Sequence, residues 1–272
     1  MAADAADIRF DQALTAYETV AADYDSLAID PLFSRWVSFY QRLIEKYGSG
    51  GKKLLDVGCG TGNSAVAFRN LGYEVTGSDL SPAMIDRARA KPDNEGIPFV
   101  VGDLRDLPDL GSFDAVTCMG EPLSYLTDDQ QLSGAFRSVA RQLADGGVFV
   151  FDMNTLGSYQ RAYAVTRIID EDGHFDVWEG GPVPVEPDAV IDVTHTYFRR
   201  VGEGGRAEGV EANTWRRVTS RHVYRHHSDA TVRRLLADSG LRLVAAHGLT
   251  AGELTDSGDE IRGRKILYVV SR

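Results

Sequence analysis

From residue 54 to residue 154, short apolar runs alternate with stretches of helical spacing. LLDV (54–57) reads as a buried strand, and Ala65, Val66, Phe68 and Leu71 behind it fall on one side of a helix that ends at Gly72. YEVTGSD (73–79) is a second strand ending in an acid, and Ser81-Pro82 opens a helix carrying Met84, Ile85 and Ala88. Further strands follow at 98–101 and 113–119, then a helix over 129–144 closed by Asp145-Gly146-Gly147, then a strand at 148–151. Apolar strands alternating with helices predict a parallel sheet covered on both faces, an α/β fold.

The flanking stretches differ. Ile8, Phe10, Leu14, Tyr17, Val20 and Tyr24 share one side of a helix. That helix either packs on the domain edge or closes over a ligand with Tyr17 and Tyr24 facing it. Asp30-Pro31 is a good helix start, and 32–47 is amphipathic. From 155 to 227 the period becomes two: 190–198 and 214–224 read as antiparallel strands, with GEGGRAEG (202–209) as their turn. The α/β rhythm then resumes, with a helix capped by Ser228 or Asp229 and strands at 241–246 and 265–271. Three parts are expected: a helical lid (1–50), a core (51–154 and 228–272), and an inserted small antiparallel β-sheet (155–227).

Length and charge narrow the function. A chain of 272 residues suits one α/β domain with an embellishment. A net charge of −11 speaks against nucleic acid or an anionic membrane as the main partner. No apolar run approaches the roughly 20 residues of a spanning helix, and the first residues lack the pattern of a signal peptide. Cys59 and Cys118 do not resemble a disulfide framework. A reduced, cytoplasmic protein is expected, as a monomer or homodimer. His226-His227 has no ligand cluster around it, so no metal is expected.

The chemistry gathers at Gly58-Cys59-Gly60-Thr61-Gly62. Glycine in such a turn accepts positive φ or lets a ligand rest on the backbone, and a loop entering a helix offers free N–H groups to an anion. Dinucleotide enzymes space these glycines G-x-G-x-x-G, whereas here the spacing is G-x-G-x-G, preceded by Asp56. Asp79 suits a ribose diol, since a carboxylate accepts two hydrogen bonds at once.

LLDVGCGTG, EVTGSDLSPAMIDRA, VVGDLRDLP, FDAVTCMGEPLSYL and GGVFVFDMN, in this order over residues 54–154, resemble the class I S-adenosylmethionine-dependent methyltransferases. The resemblance implies a Rossmann-like seven-stranded doubly wound sheet and S-adenosyl-L-methionine as cofactor. It implies that Gly58 and Gly60 hold the methionine part with Asp56 in support, and that Asp79 holds the ribose. Leu80 and Met84 would pack on the adenine, and Asp103, beside Leu104, would accept from its amino group. Tyr24 and Met119 complete the set. Tyr17 and Ala22-Asp23-Tyr24-Asp25 also match a subgroup with a β insertion after strand five, which includes amino-sugar and glycine N-methyltransferases. In the amino-sugar enzymes a His stands where this chain has Tyr125.

The expected reaction is in-line transfer of a methyl group to an N or O atom of a small-molecule acceptor. Glu121 is expected to hold the acceptor or take its proton, with Tyr125 and Tyr17 lining the site; a solvated turn is the plainer reading of Glu121. Arg216, Arg217, Arg221 and Arg225 either attract an anionic acceptor or protect an edge strand. The alternatives are an NAD(P)-dependent oxidoreductase, a non-catalytic cofactor-binding module, and a methyltransferase for RNA or protein.

Overall fold

In the computed structural model, residues 5–27, 31–171, 174–181, 185–200, 214–250 and 252–272 are described, with backbone alone at 5–11, 171, 174, 199–200 and 250. In chain order the elements begin with α1 (Ala5–Val20), α2 (Tyr24–Leu27), α3 (Phe33–Tyr47), β1 (Lys53–Val57), α4 (Asn63–Asn70), β2 (Glu74–Asp79) and α5 (Pro82–Ala90). Next come β3 (Phe99–Val101), β4 (Phe113–Cys118), α6 (Asp129–Gln142), β5 (Leu143–Asn154), α7 (Leu156–Ser158), β6 (Arg167–Glu171) and β7 (His174–Glu179). The chain continues with β8 (Val190–Arg200), β9 (Trp215–Arg225), α8 (Asp229–Asp238), β10 (Arg242–Thr250), β11 (Glu253–Thr255) and β12 (Lys265–Ser271).

The main sheet runs β11-β10-β12-β5-β4-β1-β2-β3. β1 to β5 are mutually parallel, while β12 is antiparallel to β5 and β10. Chain order reverses between β1 and β4, which pair directly. A ligand crevice belongs at the carboxyl ends of the strands at such a switch point.

Both faces are dry. Leu55 and Val57 of β1 point into a core with Leu132, Phe136 and Val139 of α6 and Val232, Leu235 and Leu236 of α8. Leu54 faces the other way, toward Tyr40 and Leu43 of α3, Phe68 of α4 and Ile85 of α5. Capping fixes the helix starts: Ser81, Asp128 and Ser228 accept from the N–H groups of Met84, Gln131 and Thr231.

The second sheet is antiparallel, ordered β6-β7-β8-β9. Two of its strands, β6 and β7, were not read from the sequence, because β6 sets Ile168 beside Ile169 and does not alternate, and β7 alternates only over His174–Val177. Its inner face meets α1 and the loop after β4, where Ala13, Tyr125, Val193 and Tyr224 pack together. Other boundaries also shift. The long N-terminal helix breaks after Val20 and resumes as α2, with Asp23 in the break paired to Arg216 of β9. β5 begins at Leu143 and takes in Asp145-Gly146-Gly147, with Gly146 at φ 75°. β11 extends the main sheet to eight strands, one more than expected. The 202–209 turn and the Asp30 cap lie outside the described residues.

Candidate active site

β1 ends in a turn that cannot be built with ordinary residues. Gly58 has φ 68°, and a Cβ there would meet Pro122 Cγ at 2.4 Å. The turn is tied to β2, since Cys59 N–H donates to Ser78 O at 3.0 Å. Asp79, the last residue of β2, accepts from Gly60 N–H and Ser81 N–H, each at 2.9 Å. Burial raises its pKa above the usual carboxylate value. Beneath the turn, Asp56 is 1% exposed and accepts from Ser64 Oγ and, at 2.8 Å, from Thr117 Oγ1. Burial pushes it up to about 6.

Above this turn lies a cavity of about 820 Å³, counting its open mouth. Its lining includes Gly58, Gly60, Asp79, Leu80, Leu104 and Met119 together with Tyr17, Tyr24, Tyr125 and Leu126. A second cavity of about 810 Å³ shares Tyr24, Gly58, Gly60 and Met119 and continues to Phe33, Trp36, Asp152, Arg264 and Lys265.

Two polar clusters flank the cavities. In the first, Lys265 Nζ lies 2.8 Å from Glu121 and 2.5 Å from Asp152. Tyr40 Oη and Gly120 N–H donate to Asp152, and Tyr163 Oη donates to Glu121 at 3.2 Å. Burial pushes Glu121 up against the opposing pull of Lys265. Burial also disfavours the ammonium, but the two carboxylates outweigh it and raise the Lys265 pKa. In the second cluster, Tyr125 Oη lies 2.8 Å from His222 Nδ1, 2.9 Å from Tyr224 Oη and 3.0 Å from Tyr17 Oη. Ser220 Oγ is 2.9 Å from His222 Nε2. Burial, helped by His195, lowers His222 to about 4.

Comparison with known proteins decides the family. Residues 54–147 match the model of a methyltransferase domain. A methyltransferase of Geobacillus sp. (strain WCH70) is 32% identical over 197 residues, 71% of this chain and 78% of the relative. The chain belongs to the S-adenosylmethionine-dependent methyltransferases.

A crystal structure of such a methyltransferase from Clostridium acetobutylicum ATCC 824 superposes with a TM-score of 0.75 at 23% identity, covering 94% of this enzyme and 98% of that chain. The dTDP-4-amino-2,3,4,6-tetradeoxy-D-glucose N,N-dimethyltransferase of Saccharopolyspora spinosa is 41% identical over 103 residues, 37% of this enzyme and 40% of the relative.

In this methyltransferase, nine of the residues singled out from sequence line the first cavity: Tyr17, Tyr24, Gly58, Gly60, Asp79, Leu80, Leu104, Met119 and Tyr125. Four do not. Asp56 lies under the turn. Met84 is 1% exposed and packs with Val20, Ala21 and Tyr197. Asp103 is held by the Arg105 guanidinium and backbone N–H. Glu121 is neither a solvated turn residue nor a cavity-lining one: it is 5% exposed, with φ 70°, inside the Lys265 cluster.

The basic run on β9 is matched by acids. Arg216 pairs with Asp23, Arg221 with Asp192, and Arg225 with Asp129, while Arg217 lies over the Phe198 ring. This arrangement supports the edge-strand reading. His226 contacts Glu260, His195 contacts Asp176 and His247 contacts Tyr47. Among the described residues no group of three or more His, Cys, Asp or Glu is placed to hold a metal, and no helix is long and apolar enough to cross a membrane.

The sequence reading missed His222, Tyr224, Asp152 and Lys265. A signal for the first two existed: Ser220, His222 and Tyr224 alternate along one strand and so share a face.

Proposed function

We propose that this enzyme methylates an N or O atom of a small metabolite bound beside the cofactor in the first cavity. One observation carries the reading: a single cavity is lined both by Asp79, Leu80 and Leu104 and by Tyr17 and Tyr125. The residues present suit the cofactor. Asp79 is a half-buried carboxylate for the ribose diol, Leu80 and Leu104 give apolar walls for the adenine, and the glycine turn lets backbone approach closely. Arg264 in the adjoining cavity suits the amino-acid carboxylate.

Bound there, the cofactor supplies a methyl group on a sulfonium, whose departure leaves neutral sulfur. The protein's task is then alignment and exclusion of water, with alignment worth about 7–11 kcal/mol in well-oriented systems. Tyr17, Tyr24 and Tyr125 do both: their rings close the cavity, and the Tyr17 and Tyr24 centroids are 6.1 Å apart in an edge-on arrangement. The net charge of −11 supports a small acceptor rather than a polyanion. The amino-sugar relative supports nitrogen as the acceptor atom.

Incubation with methyl-labelled cofactor and a small-metabolite extract, followed by mass spectrometry, tests this reading. A labelled product below about 1 kDa is expected. Label found only in protein or RNA overturns it.

A further inference from the structure

We propose that His222 is the proton-receiving end of a relay that starts at Tyr17 in the cavity wall and passes through Tyr125. The proposal rests on the reading of this cavity as the acceptor site, and it makes the four-stranded sheet part of the reaction centre.

The geometry is a chain of short contacts. Tyr17 and Tyr125 line the cavity, whereas His222 does not. Tyr17 Oη is 3.0 Å from Tyr125 Oη, which is 2.8 Å from His222 Nδ1, and Nε2 is 2.9 Å from Ser220 Oγ. Each link comes from a different part of the fold: α1, the loop after β4, and β9.

Direction follows from acidity. Tyr125 Oη donates its one proton to Tyr224 Oη at 2.9 Å, and the most basic of its three neighbours is the imidazole nitrogen of His222, far more basic than a phenol oxygen. The relay runs when the Tyr125 hydroxyl turns from Tyr224 onto the line to Nδ1, 2.8 Å away, with the imidazole in its Nε2–H form donating to Ser220. Tyr17 then donates to Tyr125, and its own lone pairs face the cavity, where they accept the N–H or O–H of an acceptor. Burial among Tyr17, Tyr125 and Tyr224, helped by His195 on β8, opposes protonation of His222, so the resting ring is uncharged at neutral pH.

The step balances. The acceptor's lone pair forms the bond to the methyl carbon, and the carbon–sulfur pair stays on sulfur. The acceptor's proton moves to Tyr17, the Tyr17 proton to Tyr125 and the Tyr125 proton to His222; after product leaves, a proton returns along the same path through Tyr125 and Tyr17 to water in the cavity. His222 touches no substrate; it is a positioning residue that acts through Tyr125.

Two measurements test this. In long-range proton–nitrogen NMR of the enzyme bound to S-adenosylhomocysteine, with the ring assigned from the His222→Gln spectrum, Nδ1 is expected bare and Nε2 protonated from pH 5 to 9. An Nδ1–H tautomer, or a ring that titrates in that range, overturns the relay.

In the second, label transfer from methyl-labelled cofactor into the metabolite extract is followed. Transfer is expected to fall about 100-fold in His222→Gln, the ordinary scale of a lost acid–base partner, with S-adenosylhomocysteine affinity within twofold of wild type. Imidazole added to His222→Ala is expected to restore turnover. Unchanged transfer in His222→Gln overturns the proposal. Wild type that transfers no label to small metabolites overturns the acceptor-site reading instead, and the tautomer still reports on the relay.

Discussion

Lys265→Met is expected to lower the melting temperature by roughly 10 °C or more. Lys265 is 8% exposed and sits between Glu121, 5% exposed, and Asp152, 1% exposed. Methionine keeps most of the volume but leaves two carboxylates facing each other without their cation. Breaking a buried pair from one side typically costs about 3–5 kcal/mol, and each kcal/mol shifts melting by about 2–4 °C in a chain near this size. Adding Glu121→Gln and Asp152→Asn to Lys265→Met should recover part of the loss, since no charge is then left uncompensated. Thermal melts of the single and triple variants check this. Equal melting of wild type and Lys265→Met would mean that the cluster is bathed in water.

The second large effect is on ligand binding. Gly58→Ala puts a Cβ 2.4 Å from Pro122 Cγ at φ 68°, so the turn must shift away from the loop after β4. Gly60→Ala also has positive φ, but its Cβ would reach only Tyr24, at 3.6 Å, an ordinary contact. Affinity for S-adenosylhomocysteine, measured by calorimetry, should therefore fall more than tenfold in Gly58→Ala and clearly less in Gly60→Ala. The reverse order would show that the Gly58–Pro122 packing does not shape the cradle.

These two sites show what a sequence can and cannot reveal. Gly58, Gly60 and Asp79 are legible because they lie within one strand–turn–helix–strand unit, where local spacing fixes their geometry. Lys265 is not, because the antiparallel pairing of β12 with β5 joins residues more than a hundred positions apart. Glu121 shows the same limit. An acid before proline reads as a surface turn or as a group that holds the acceptor, and its partner Lys265, on a distant strand, cannot be seen from the sequence. The β9 arginines were ambiguous for a related reason: their counter-charges Asp23, Asp129 and Asp188 come from three other segments. Tyr17 and Tyr125 could each be suspected alone, but their shared hydrogen bond to the His222 cluster exists only once the second sheet is docked.

The central claim is that the cofactor lies on the glycine turn with its ribose held by Asp79. Titration of S-adenosylhomocysteine into wild type and Asp79→Ala tests it most directly. Losing two hydrogen bonds to a charged acceptor should weaken binding by about 100-fold or more. Equal affinity in the two proteins would contradict the account.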